Sequence, residues 1–284
     1  MNPKGLFLDL NKTFFWRKLR EIKILRGHKR IAGICEALVK EYDAAPVHYD
    51  FAPKQSFPDG RIIWQYWAQG YDHVPDVVRK CLESVDRFAS DYTIIRLTDS
   101  NLNEYLDIPD FIQAKRGQMT VAHFSDLLRL MLLKTYGGIW MDATIMLTGP
   151  IPEEYAKQDF FVFQRDPDEP NYKYWRNVYA YYFGWAKGFR VNMLSSFMVA
   201  RKAGEKVSRL CDLSLYWWQN NDYLPDYFFL QVLYDVVIYP DNDCPLASDT
   251  RPHYLQQSIN DSHFNLMARD DIKKVIPIHK LTYK

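Results

Sequence analysis

Apolar residues recur along this chain with two alternating periods. Residues 61–67 (RIIWQYW) form a short aromatic and β-branched run that predicts a buried strand. Residues 76–88 then carry Val77, Val78, Cys81, Leu82 and Val85 at helical spacing. Residues 92–97 predict a second strand, and Ser100 is placed to cap a short helix from Asn101, with Glu104 completing a capping box. Residues 121–136 give the strongest helix, with Val121, Phe124, Leu128 and Met131 on one stripe and Gly137-Gly138 at its end. Residues 139–147 (IWMDATIML) predict one buried strand with an acid inside it. Residues 159–164 and 196–200 predict further strands, and 204–218 and 227–237 further helices. This alternation predicts an α/β fold with a mainly parallel sheet flanked by helices. Such sheets bind ligands beyond the carboxyl ends of their strands.

Charge changes the picture at the amino terminus. Over 284 residues, Lys+Arg 36 and Asp+Glu 35 leave a net charge of +1. Residues 1–40 nevertheless hold ten Lys/Arg and three acids, a net of +7 that leaves −6 on the remainder. Phe15, Leu19 and Ile22 fall at helical spacing among those cations. Such a segment reads as a membrane-surface helix or as a solvated helix packed on the body. The acidic remainder argues against a nucleic-acid arm. Pro46, Pro53, Pro58 and Gly60 mark a linker within 43–60, so two units are expected: a basic extension at 1–57 and the main domain at 58–284. Cys35, Cys81, Cys211 and Cys244 lack the spacing of a zinc ribbon or redox pair. With no secretory leader recognised, they read as reduced thiols of a cytoplasmic protein, peripheral on the inner face of the cell membrane. No apolar run of about 18 residues is present, so no membrane span is expected.

Three places carry polar residues where the pattern calls for none. Asp142 lies among apolar neighbours, and an unpaired buried carboxylate costs several kcal/mol, so it should meet a metal, a cation or a hydrogen-bonding ligand. An Asp capping a turn at the strand's end is the alternative. In an extended strand Thr144 faces the same side as Asp142, and the two make an oxygen site for a hard cation or a sugar hydroxyl. His123, Asp126 and Arg129 fall along one side of the strongest helix, which delivers the chain to Asp142; an ion pair on a solvated face is the plainer reading. The carboxyl-terminal tail supplies His279, Lys280 and Lys284, one imidazole and two cations suited to a pyrophosphate leaving group, or else surface lysines on a docked tail.

The run from His123 through Gly137-Gly138-Ile-Trp-Met-Asp142-Ala-Thr144 resembles the signature of the bacterial capsular polysaccharide synthesis proteins. These belong with the family 32 type of glycosyltransferases, whose sugar-binding region contains an Asp-x-Asp motif. Ile63-Trp64-Gln65-Tyr66-Trp67 is similar to that family's opening strand, and His279 to Lys284 to its closing segment. The resemblance covers about residues 60–284 and leaves the basic extension outside. It implies a GT-A fold, a single nucleotide-sugar-binding domain. It implies transfer of a hexose from a nucleotide-diphosphate sugar, a UDP-sugar, with retention. The acceptor would be a saccharide or lipid-linked saccharide of bacterial capsular or surface polysaccharide. Carried over by position, Trp64 would stack on the donor base with Gln65 beside it. Asp126 and Arg129 would bind the donor sugar and its phosphate side, and Asp142 would be the first Asp of the motif. Thr144 replaces the metal-binding second Asp, so a divalent cation, Mn²⁺ or Mg²⁺, would rest on Asp142 and His279.

In that reading catalysis lies in stabilising the leaving group by metal, Lys280 and Lys284, with Asp142, Asp126 and Arg129 as the catalytic set. The aromatic stretch 172–185 (YKYWRNVYAYYFGW) is either an acceptor cleft or core. Asn192, Asp226 and Trp185 stand as acceptor-side candidates. Two other classes remain: a sugar-nucleotide-binding protein without turnover, and a membrane-surface scaffold of the polysaccharide machinery.

Overall fold

The computed structural model describes residues 14–57, 61–239 and 245–283. Cys244, Lys284 and the first thirteen residues of the basic segment lie outside them. The chain opens with helix α1 (Phe14–Ala44), followed by β1 (Ile62–Tyr66), α2 (Asp76–Phe88) and β2 (Thr93–Leu97). Next come α3 (Asp110–Lys115), α4 (Val121–Tyr136), β3 (Gly138–Met141), β4 (Ile145–Leu147), α5 (Glu153–Ala156) and β5 (Phe160–Gln164). Then follow α6 (Tyr172–Val178), β6 (Met193–Ala200), α7 (Glu205–Asn220), α8 (Phe229–Val237), α9 (Tyr254–Asn260), α10 (Arg269–Val275) and β7 (Ile278–Lys280).

The main sheet has strand order β2-β1-β3-β6-β5. β1 pairs in parallel with β2 and β3, and β6 pairs antiparallel with both β3 and β5. Four strands therefore point one way and β6 alone runs against them, a mostly parallel α/β sheet. All five residues of β1 and of β5 are buried. That is why these strands read as continuous apolar runs rather than alternating ones. The start of β6 thereby lies at the same end of the sheet as the carboxyl ends of β1 and β3.

Helix α4 starts at Thr120, whose side chain accepts the backbone N–H of His123 at 3.1 Å. It ends at Gly137 and Gly138, with φ of +75° and +93°. A Cβ on Gly138 would stand 2.6 Å from the carbonyl oxygen of Ile62. Glycine here lets β3 start two positions after the last helical residue and lie directly against β1.

Several expectations change. The predicted strand 139–147 is two strands in two sheets. β3 ends at Met141, the amide of Ile145 donates to the carbonyl of Asp142 at 2.8 Å, and β4 pairs instead with β7. Asp142 thus sits in a turn at the strand's end, and its relation to Thr144 is not that of an extended strand. Ser100 caps no helix, because its hydroxyl pairs with Thr98 and the turn at Leu102–Glu104 is a single 3₁₀ turn. Helix α1 packs on the body of the fold. Ile31, Cys35, Leu38 and Tyr42 recur at helical spacing and share one buried core with Leu128, Leu213 and Leu233 of α4, α7 and α8. The polar stretch after it is tied down too. Buried Asp212 accepts Lys134 Nζ at 2.6 Å and the Tyr49 amide at 3.4 Å, while the Lys54 amide donates to the Tyr136 hydroxyl at 2.8 Å. Packing on the body is the reading that holds for most of α1; Trp16, Leu19 and Ile22 in its first turns are exposed.

No helix among the described residues is long and apolar enough to cross a membrane. Cys35, Cys81 and Cys211 are buried free thiols.

Candidate active site

A cleft of about 840 Å³ opens where β1 and β3 end and β6 begins. Residues 66–69 supply one wall, Asp142, Ala143 and Thr144 the floor, and Ser195 and Ser196 of β6 the far side. Polar residues of α4 look into it, as do Gln231 of α8 and Lys280 of β7. Among the described residues lining it, the charged side chains are Asp126, Arg129, Asp142 and Lys280. The cleft is therefore close to neutral.

Asp142 is the junction. Its Oδ1 accepts Trp140 Nε1 at 2.8 Å and lies 3.6 Å from Arg129 Nη2. Its Oδ2 accepts Lys280 Nζ at 3.1 Å. Burial pushes this carboxyl up, but the Lys280 and Arg129 charges and the Trp140 hydrogen bond outweigh it and hold the group below the usual Asp range. Asp142 is therefore anionic at neutral pH. Asp126 behaves oppositely. Burial raises it to about 6, with Arg129 lowering and Asp142 raising it. Its ion pair with Arg129 Nη1 at 3.1 Å does not offset the loss of water.

Arg129 is committed to protein partners. It donates to the Ser195 carbonyl at 2.6 Å and the Ser125 carbonyl and hydroxyl at 3.2 Å each, and it lies over the Trp140 ring at 5.1 Å. It also pairs with Asp126 at 3.1 Å and lies 3.6 Å from Asp142, so it stands between the two carboxylates.

The sequence-predicted residues separate into two groups. Asp126, Arg129, Asp142, Thr144 and Lys280 meet in the cleft. The others do not. Trp64 is fully buried, donates to the Gly137 carbonyl at 3.0 Å and packs on Phe57, Tyr105 and Tyr136. A base cannot stack on it. Gln65 is equally buried on the other face of β1, beside Arg96. His279 is fully buried and its Nε2 meets the Thr148 hydroxyl at 3.0 Å, because neighbours on a strand face opposite sides. It is not beside Asp142. Asn192 donates to Asp235, and Asp226 accepts the Phe228 amide at 2.9 Å at the start of α8. The Trp185 indole donates to the Asp166 carbonyl at 2.8 Å. None of these three lines the cleft. His123 packs against the Tyr227 ring at 5.9 Å. The aromatic stretch divides: Trp175 and Phe183 are core, while Tyr179 and Tyr182 line the cleft.

The expected Asp142–His279 metal pair does not form. Both oxygens of Asp142 already face cations or an N–H donor, Thr144 is engaged by Lys280, and His279 is turned away. Among the described residues no three His, Cys, Asp or Glu side chains are gathered to hold a metal. The donor set does not fit a resident divalent cation.

Reading the chain as a sequence missed Trp67, Gln69, Ser195 and Gln231. Trp67 had a signal, since it stands where the apolar run of β1 gives way to Ala68-Gln69-Gly70. Ser195 and Gln231 had none, because their place in the cleft depends on how β6 and α8 pack.

Among curated proteins, the chain is 34% identical over 92 residues to O-glycosyltransferase braB of Annulohypoxylon truncatum, covering 28% of this chain and 22% of that protein. It is 25% identical over 167 residues to O-glycosyltransferase PaGT of Phomopsis amygdali, covering 55% of this chain and 38% of that protein. The chain thus spans well under half the length of these two relatives. A solved structure titled PaToxG Glycosyltransferase superposes with a TM-score of 0.38 at 15% identity, over 77% of this chain and 80% of that one. The family described as capsular polysaccharide synthesis protein matches residues 16–284, so the match takes in α1 as well as the residues from 60 onward. This chain belongs to the capsular polysaccharide synthesis protein family.

Proposed function

We propose that this chain is a glycosyltransferase of GT-A type. It moves a hexose from a nucleotide-diphosphate sugar, a UDP-sugar, with retention, to a saccharide acceptor in bacterial capsular or surface polysaccharide synthesis. The carrying observation is Asp142, an ionised carboxylate at the carboxyl end of β3, held against Lys280 and Arg129 in a cleft where β1 and β3 end. Family membership and relatives named O-glycosyltransferases support the same reading.

In this proposal the donor diphosphate lies toward Lys280 and Thr144. Asp142 and Asp126 accept hydroxyls of ribose and sugar, which gives binding energy and orientation at the reacting carbon. Trp67, at the cleft wall, takes the stacking role that buried Trp64 cannot fill. The acceptor enters past Tyr179, Tyr182 and Tyr227, whose flat faces suit a sugar ring. The exposed Trp16, Leu19 and Ile22, beside Arg17 and Lys18, support contact of α1 with an anionic lipid surface on the cytoplasmic side.

The test is a panel of nucleotide sugars assayed for thermal stabilisation and for release of the nucleoside diphosphate. One donor should raise the melting temperature and be consumed. A panel in which none binds would refute the proposal.

A further inference from the structure

The turn after β3 lacks the anionic cage that an Asp-x-Asp motif builds around a divalent cation. Its second position is the neutral Thr144. Between Thr144 and Asp142 sits the ammonium of Lys280, which donates to Asp142 Oδ2 at 3.1 Å and to the Thr144 hydroxyl. Lys280 is held there by strand pairing. It is opposite Ile145 in the β4–β7 ladder, and the next amide, Leu281, donates to the Thr144 carbonyl at 2.9 Å. A hard divalent cation wants six or more oxygens, several of them anionic. Here it would have to displace an ammonium already bonded to both motif positions, with the Arg129 guanidinium 3.6 Å from the same carboxylate.

The geometry points to Lys280 in the place of the metal: this chain binds its nucleotide-diphosphate donor and releases the diphosphate without a divalent cation. The inference rests on the glycosyltransferase reading above. An ammonium carries three N–H donors. Two are used on Asp142 and Thr144, and the third remains for a non-bridging phosphate oxygen, a charge-assisted bond. In the transfer step the acceptor oxygen bonds to the anomeric carbon and the bond from that carbon to the β-phosphate oxygen breaks. The electron pair leaves with the phosphate, and the acceptor's proton passes to a diphosphate oxygen. Lys280 keeps its own proton throughout and stabilises the charge growing beside it. Asp142 fixes the ammonium rather than ligating an ion.

The experiment is calorimetric titration of the full chain with uridine, guanosine and thymidine diphosphates, in EDTA and then in Mn²⁺ or Mg²⁺. At least one diphosphate should bind in EDTA with a Kd within about twofold of its value with metal. Lys280→Met should weaken that binding about tenfold in both buffers, and Lys280→Arg should restore most of it. The double variant Thr144→Asp with Lys280→Ala should instead bind tightly only with Mn²⁺. Wild-type binding that needs Mn²⁺ or Mg²⁺, or that is unchanged in Lys280→Met, overturns the inference while leaving a transferase in place. Absence of binding in every buffer overturns the donor reading and this inference together. The wild-type comparison stands even where a variant fails to fold.

Discussion

Lys280 and Asp142 are 138 positions apart in the chain, yet the ammonium of one donates to the carboxylate of the other at 3.1 Å. The contact exists because β4 leaves the main sheet after the Asp142 turn and pairs antiparallel with β7. It sets the charge state of the cleft. Asp142 is held ionised, while burial, with the Asp142 charge adding to it, pushes its neighbour Asp126 up to about 6.

Asp142→Asn removes the charge that orients both Lys280 and Arg129. Turnover should fall by roughly 10²–10³, the scale of losing one electrostatic contact in a closed site. The melting temperature should move little beside that loss. Steady-state kinetics with a calorimetric scan on the same preparation decide it, and near wild-type kcat would remove Asp142 from the mechanism.

The two tryptophans of the opening strand region should behave differently. Trp64→Ala empties a fully buried site and should cost about 3–5 kcal/mol of stability. Trp67→Ala at the cleft wall should cost about 1–3 kcal/mol of donor affinity, the scale of base stacking, with a smaller effect on folding. Urea unfolding and donor titration of both variants separate these. A Trp64→Ala protein as stable as wild type would contradict the core assignment.

The raised pKa of Asp126 predicts a stability slope. An unfolded Asp titrates near 4, so between about 4 and 6 the native state holds a proton there that the unfolded state has lost. The stability owed to this group is present below that window and declines as pH rises through it. Asp126→Asn should therefore lose less stability than wild type between pH 4 and pH 6. Parallel unfolding free energies for the two proteins across that range would show that Asp126 titrates normally.

His279 titrates with the opposite sign. Burial, with Lys273 nearby, pushes the imidazole down to about 4, so it is neutral in the fold. The stability it contributes is present above the ordinary His value of about 6.5 and is lost as pH falls toward 4. His279→Ala should cost about 1–3 kcal/mol through Thr148 and leave donor affinity unchanged. A large rise in donor Kd without loss of stability would return His279 to the site.

Helix α1 should prove inseparable from the domain. Ile31→Ala should cost about 2–5 kcal/mol, and removal of residues 14–44 should leave an insoluble chain. A soluble, cooperatively folding fragment from residue 58 would restore the two-unit organisation.

The sequence by itself determined most of the strands of the main sheet, its strongest helices, and the residues at the centre of the site, Asp126, Arg129, Asp142, Thr144 and Lys280. Periodicity is a local property: the stripe of α4 and the unbroken apolar runs of β1 and β5 are legible wherever they end up. The anomaly of an acid at Asp142 was legible too, since an unpartnered carboxylate among apolar residues demands compensation. Tertiary structure alone decided which partners answer that demand. Along a strand one residue faces the cleft and the next faces away, and only packing selects between Trp64 and the cleft wall, or between His279 and Lys280. The same holds for the break after Met141, where pairing of β4 with a strand more than 130 positions later overrides a continuous β pattern. Long-range hydrogen bonding placed a lysine where the sequence suggested a metal, and no local pattern encodes that choice.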